Sequence, residues 1–166
     1  MKSIVRPALT SLFVAVTALT AVAQSPDPLL GSFKVNVEKS TLSAGAQPAK
    51  SNISVWQALG DGQFKNTIDV VDAKGQTTRT EITTRFDGAE STVKGAAVPT
   101  TRTYKRLDGR TTGSPIAWEY LTKINGKVTT IQRTIASTDG KTRVSVITGT
   151  DVEGRPVSDV YVYERQ

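Results

Sequence analysis

The sequence contains no cysteine and no histidine. Without Cys there is no disulfide, no thiol nucleophile and no lipid-acceptor sulfur behind a leader. Without His, a zinc site of ordinary type and a Ser-His-Asp triad both lack their parts. No glycine-rich loop precedes a helical pattern, so a phosphate cradle is absent as well. The carboxylates Asp69, Asp72, Asp151 and Glu153 sit at strand ends and turns, and Glu119 and Asp159 on strands. Nothing in the sequence sets two of them facing each other across a cleft, as glycosidase chemistry requires. The chain is therefore expected to have no catalytic residues, no metal ligands and no cofactor, and a carboxylate enzyme stays only a third reading.

What is present begins with an export pattern. Lys2 and Arg6 form a positive start, residues 8–21 are apolar or small without charge, and Ala21-Val22-Ala23 gives the small-x-small pattern of a cleavage site. The apolar run is interrupted by Thr and falls short of the about 20 residues that span a bilayer. Residues 1–23 are thus expected to be a signal peptide, with Gln24 as the new N-terminus and the bacterial periplasm or the exterior as destination. Cleavage at that point leaves 143 of the 166 residues, enough for one domain with its own core. It also lowers the formal charge from +6 to +4, because two of 21 Lys and Arg leave and all 15 Asp and Glu stay. The remaining basic residues are scattered along the chain, which argues against nucleic acid as a partner.

Residues 24–30 read as a tether, with Pro26 and Pro28 opposing both helix and sheet pairing. From residue 31 to 166 the chain alternates in short segments rich in Thr, Val and Ile. Asp61-Gly62, Lys74-Gly75, Asp87-Gly88, Asp108-Gly109, Asn125-Gly126, Asp139-Gly140 and Glu153-Gly154 punctuate them, several in the Asx-Gly form of tight hairpins. The spacing predicts strands over 32–38, 51–58, 63–72, 76–86, 90–94, 101–107, 114–124, 127–137, 141–149 and 157–165. Residues 40–51 are the one long connection. A meander of eight to ten strands avoids exposed edges by closing, so the expected fold is all-β, an antiparallel up-and-down barrel. A β-sandwich is the rival, but it needs crossovers for which the hairpin spacing leaves little room.

The opening Gly31-Ser32-Phe33-Lys34-Val35-Asn36, followed by Glu38-Lys39-Ser40, resembles the Gly-x-Trp first strand of lipocalin-like barrels. Together with the Asp139-Gly140-Lys141 and Gly154-Arg155-Pro156 turns and the Val162-Tyr163-Glu164-Arg165-Gln166 ending, it is similar to a calycin-type family of secreted bacterial β-barrels of uncharacterised function. The resemblance implies a barrel with a lumen. It also implies that an aromatic ring of the first strand packs against an Arg of the closing strand. Phe33 stands where the family has Trp, and Arg165 is the matching Arg.

The period of two then nominates ligand-binding residues. Trp118 and Tyr120 share an apolar face and line either a cavity or a plain core. Phe64, Ile68 and Phe86 would complete an apolar wall, and Tyr161 is either a cavity residue or a half-buried surface aromatic. Arg133, between Ile131 and Ile135, either enters the lumen and meets an anion or lies outside in solvent. Arg102, Tyr104 and Arg106 form a further row, read as a cationic rim patch or as a charged, solvated edge strand. The leading expectation is a non-catalytic binding protein for a small hydrophobic or amphipathic, anionic ligand, with Arg133 and Tyr120 at its polar end. The alternative is an envelope protein–protein interaction or inhibitor module with a filled barrel. The oligomeric state stays open.

Overall fold

In a computed structural model, which describes residues 27–110 and 113–166, ten strands follow one another in chain order. They are β1 (Gly31–Thr41), β2 (Ser51–Gly60), β3 (Gln63–Val71), β4 (Thr77–Thr84), β5 (Asp87–Thr92), β6 (Thr100–Arg106), β7 (Ala117–Ile124), β8 (Lys127–Ala136), β9 (Thr142–Thr150) and β10 (Pro156–Arg165). The expected signal peptide, and residues 24–26 of the expected tether, lie outside the described residues. No helix of the described residues is long and apolar enough to cross a membrane.

The sheet order is β4-β3-β2-β1-β10-β9-β8-β7-β6-β5, antiparallel throughout. The one non-consecutive pairing joins the first strand to the last. The outer strand β4 meets the chain just beyond β5 through a single bridge, Glu81 with Lys94, whose two N–H···O bonds measure 3.0 and 2.8 Å. The result is an up-and-down barrel closed except along that seam. It contains no Greek-key crossover, so the sandwich is ruled out.

Local chemistry explains most of the register. Asp61 and Gly62, and Asn125 and Gly126, all have positive φ, as the tightest hairpins demand. Asp87-Gly88 behaves differently from its turn-like sequence: it lies inside β5, and the reversal is made by Arg85 and Phe86, with Phe86 at a φ of 57°. A bulky side chain there is strained. The strain is held because the Phe86 ring stacks on Trp56 at 5.5 Å and meets Phe64 and Tyr104 edge-on, both at 5.5 Å.

These rings belong to the apolar core, which fills the end of the barrel where β1 begins. Trp56, Phe64, Ile82, Phe86, Tyr104 and Trp118 pack there with Leu29. Residues 27–30 close this end, contrary to their reading as a tether. Leu29 is fully buried, the Arg143 guanidinium donates to the carbonyls of Pro28 and Leu29, and Arg165 Nη2 donates to Asp27 O at 2.7 Å. Pro28 keeps this segment out of the sheet, and the two arginines satisfy its carbonyls instead.

Candidate functional site

Above the aromatic floor the lumen turns polar. Tyr120 on β7 donates to Gln132 Oε1 on β8, whose Nε2 donates to Thr134 Oγ1 at 3.2 Å. Thr134 in turn shares a hydrogen bond of 2.7 Å with Ser145 on β9. On the opposite wall Asn66 of β3 donates to Ser54 Oγ of β2 at 2.8 Å. Period two puts these side chains inward, and their hydrogen bonds offset the cost of leaving water. Between the two walls remains a cavity of about 30 Å³, lined also by Trp56, Ile68, Trp118, Arg143 and Tyr163. That is room for about two water molecules.

The nominated residues separate into four groups. Phe64, Phe86 and Trp118 are packed into the floor, where each touches other rings; Trp118 also borders the small cavity, and Phe64 and Phe86 border an open, largely apolar hollow with Leu30 and Ala58. Ile68 and Tyr120 do line the small cavity. Tyr161 is half-buried beside Tyr163, with ring centres 6.2 Å apart, and its hydroxyl donates to Asp159 Oδ2 at 3.4 Å. Burial, followed by the Asp159 charge, pushes the Tyr161 hydroxyl up to about 12.

The placement of Arg133 in the lumen is corrected. Its side chain is 68% exposed, and Nε donates to Glu119 Oε2 at 2.7 Å on the outer wall. The inward face of β8 is Gln132, Thr134 and Ala136, all buried. Here the polar residues face in and the isoleucines face out, so the flanking Ile131 and Ile135 misdirect a reading by hydrophobicity.

The row on β6 is corrected in the other direction. Tyr104 is completely buried, so Arg102 and Arg106, two residues to either side, also point inward. Arg102 is an inward cation where the sequence reads equally as a solvated edge strand. Its Cζ lies 4.7 Å from the centre of the Tyr120 ring, and Tyr104 and Tyr120 pack at 4.8 Å. Nε and Nη1 of Arg102 are buried and without a hydrogen-bond partner among the described residues, and the nearby Tyr104 hydroxyl also finds no aligned bond. Burial holds Tyr104 up at about 12 and raises Tyr163 further. Phenol rings therefore surround a guanidinium that has no carboxylate within salt-bridge distance among the described residues. The signal that could have found it is the strand itself: the other face of β6 is Thr101, Thr103 and Lys105, the more soluble one.

Arg143 is a further inward cation. It lies 3.4 Å from the Phe33 ring centre and 5.5 Å from that of Trp118. Burial and the neighbouring Arg165 charge push it down to about 9, so it stays protonated at neutral pH. Unlike Arg102, it is occupied, because its donors hold the closing segment.

The chain matches no protein-family model, and no curated protein shows significant similarity to it.

Proposed function

We propose that this chain is an exported, non-catalytic binding protein that takes the anionic head group of a small amphipathic molecule into its barrel, against Arg102. The observation that carries this reading is the buried guanidinium with two unpartnered nitrogens. An isolated charge in an apolar medium is costly unless an anion pairs with it. The fork geometry of Arg suits a carboxylate held by two parallel bonds. The surrounding phenols supply further donors without adding negative charge. The cavity of about 30 Å³ is lined by Tyr120, the ring that Arg102 packs over, and admits only a small head group, so the apolar body of the ligand stays outside it. Export rests on the pattern of residues 1–23, and the periplasm or the exterior is the proposed site of action.

The test is native mass spectrometry of the protein purified from cells without organic extraction. A bound acidic lipid-sized or smaller molecule, lost on Arg102→Met, is the expected result. An apo mass for the wild type, with no uptake from an offered set of carboxylates, would overturn it. N-terminal sequencing of the exported protein should begin at Gln24.

One observation favours a second reading. The floor is filled with rings and Arg133 lies outside, as a protein–protein interaction or inhibitor module with a packed barrel requires. Such a module binds no small anion, so the same experiment separates the two.

A further inference from the structure

The outer wall of the barrel is of two kinds. On β3 and β4 it is ionic: Lys65 pairs with Glu81 at 3.0 Å, and Arg79 with Asp69 at 3.3 Å. On β8, β9 and β10 it is aliphatic. Ile135 is 65% exposed and sits directly opposite Val144, which is 41% exposed and itself opposite the partly exposed Val162. In the next row Val146, 42% exposed, is flanked by Arg133 and Val160. Most other exposed large apolar residues, such as Leu59, Val98, Leu107 and Val152, lie singly at strand ends and loops, which is ordinary for a surface. A contiguous aliphatic patch is not ordinary, and such patches mark interaction sites.

The charges within the patch identify the occupant. They are one cation and one anion, Arg133 and Glu119, joined only through Nε and Oε2. The two terminal nitrogens of Arg133 and the second oxygen of Glu119 make no bond among the described residues. A two-fold axis through the patch sets the Arg133 of each copy against the Glu119 of the other, and the free atoms then complete one another. A chain whose overall charge is positive meets a second copy here without net repulsion. We therefore propose that β8, β9 and β10 form an isologous dimer interface. In it, Ile135, Val144 and Val146 make the dry centre, and the Glu119–Arg133 pairs fix the register across the two-fold axis. Two sheets stack face to face at about 10 Å, which suits side chains of this size. Lys105 and the Lys39–Glu164 pair lie toward the rim. The lumen is untouched by this contact, so the dimer is independent of the Arg102 reading.

Sedimentation velocity on the purified chain, from about 1 µM to about 1 mM, spans the affinities of weak to moderate dimers. The wild type is expected to shift from monomer to dimer across that range. Ile135→Lys is expected to weaken association at least tenfold, with an unchanged circular dichroism spectrum as the folding control. Arg133→Glu should do the same, and the double exchange Arg133→Glu with Glu119→Arg should restore it. A monomer at every concentration overturns the proposal, and so does a dimer indifferent to Ile135→Lys. Failure of the double exchange to restore the dimer overturns the two-fold pairing. A monomer that instead binds phosphatidylglycerol vesicles through this face also overturns it, in favour of a lipid surface.

Discussion

The guanidinium carbon of Arg165 lies 4.6 Å from the centre of the Phe33 ring, and the two residues face each other across the β1–β10 pairing. This contact joins the first strand to the last. It places a cation on an aromatic face that is fully buried, where such a contact is stronger than at a wet surface. On the same ring sits Arg143, so Phe33 organises both arginines that hold residues 27–30. Phe33→Ala is expected to cost about 3 to 5 kcal/mol in urea unfolding, as for other buried Phe truncations. A cost below about 1 kcal/mol would mean that closure does not depend on this ring.

The closing segment makes a separate prediction. Leu29 is fully buried, and Leu29→Ala should cost about 2 to 5 kcal/mol. By contrast Arg133→Ala removes an exposed ion pair, and the expected change is within about 0.5 kcal/mol. Paired urea melts of the two variants check this, and similar costs for both would contradict the assignment of inside and outside.

The tyrosines predict a pH response. Burial holds Tyr104 and Tyr161 up at about 12, above the ordinary phenol value of 10.0, and raises Tyr163 too. A phenol with a raised folded value contributes stability that is complete below pH 10 and is lost as pH rises through about 12. For fully buried Tyr104 this amounts to roughly 3 kcal/mol, at about 1.4 kcal/mol per pH unit. Arg143, held down at about 9, acts in the opposite sense above that pH, so phenolate absorbance is a cleaner readout than net stability. The native protein should release these phenolate signals later than the urea-unfolded chain. Coincident titration curves would contradict the burial of the three rings.

Removing the charge of Arg102 should stabilise the ligand-free barrel. Arg102→Met keeps volume and discards a guanidinium whose buried Nε and Nη1 have no hydrogen-bond partner among the described residues, and a gain of at least about 1 kcal/mol is expected. Thermal melts in low salt measure it. A loss of similar size would show that Arg102 is already satisfied within the fold.

Strand positions were legible because turn chemistry and period two agree along most of the chain. Asn125-Gly126 illustrates this, since both residues adopt the positive φ that the dipeptide announces. The orientation of polar strands was not legible. On β8 the buried residues are Gln132 and Thr134, and on β6 an arginine faces inward, so hydrophobicity points the wrong way in both. On β8 the face is decided by the barrel's upper lumen, where Gln132 and Thr134 find partners on β7 and β9 that no local pattern reveals. Residues 27–30 were misread for a related reason: Pro26 and Pro28 exclude pairing in a sheet, but they do not exclude docking across its end. The Phe33–Arg165 contact follows from no periodicity or turn signal in the sequence; it entered only as something implied by a resemblance in the first and last strands.

The central claim is that Arg102 receives an anionic head group, and isothermal titration of one matched pair of ligands tests it most directly. A medium-chain fatty carboxylate and the alcohol of equal length differ only in that head group. The account predicts that the carboxylate binds at least about tenfold more tightly, a difference of about 1.4 kcal/mol, and that Arg102→Met erases the preference. Equal binding of acid and alcohol to the wild type, or a preference that survives in Arg102→Met, would contradict it.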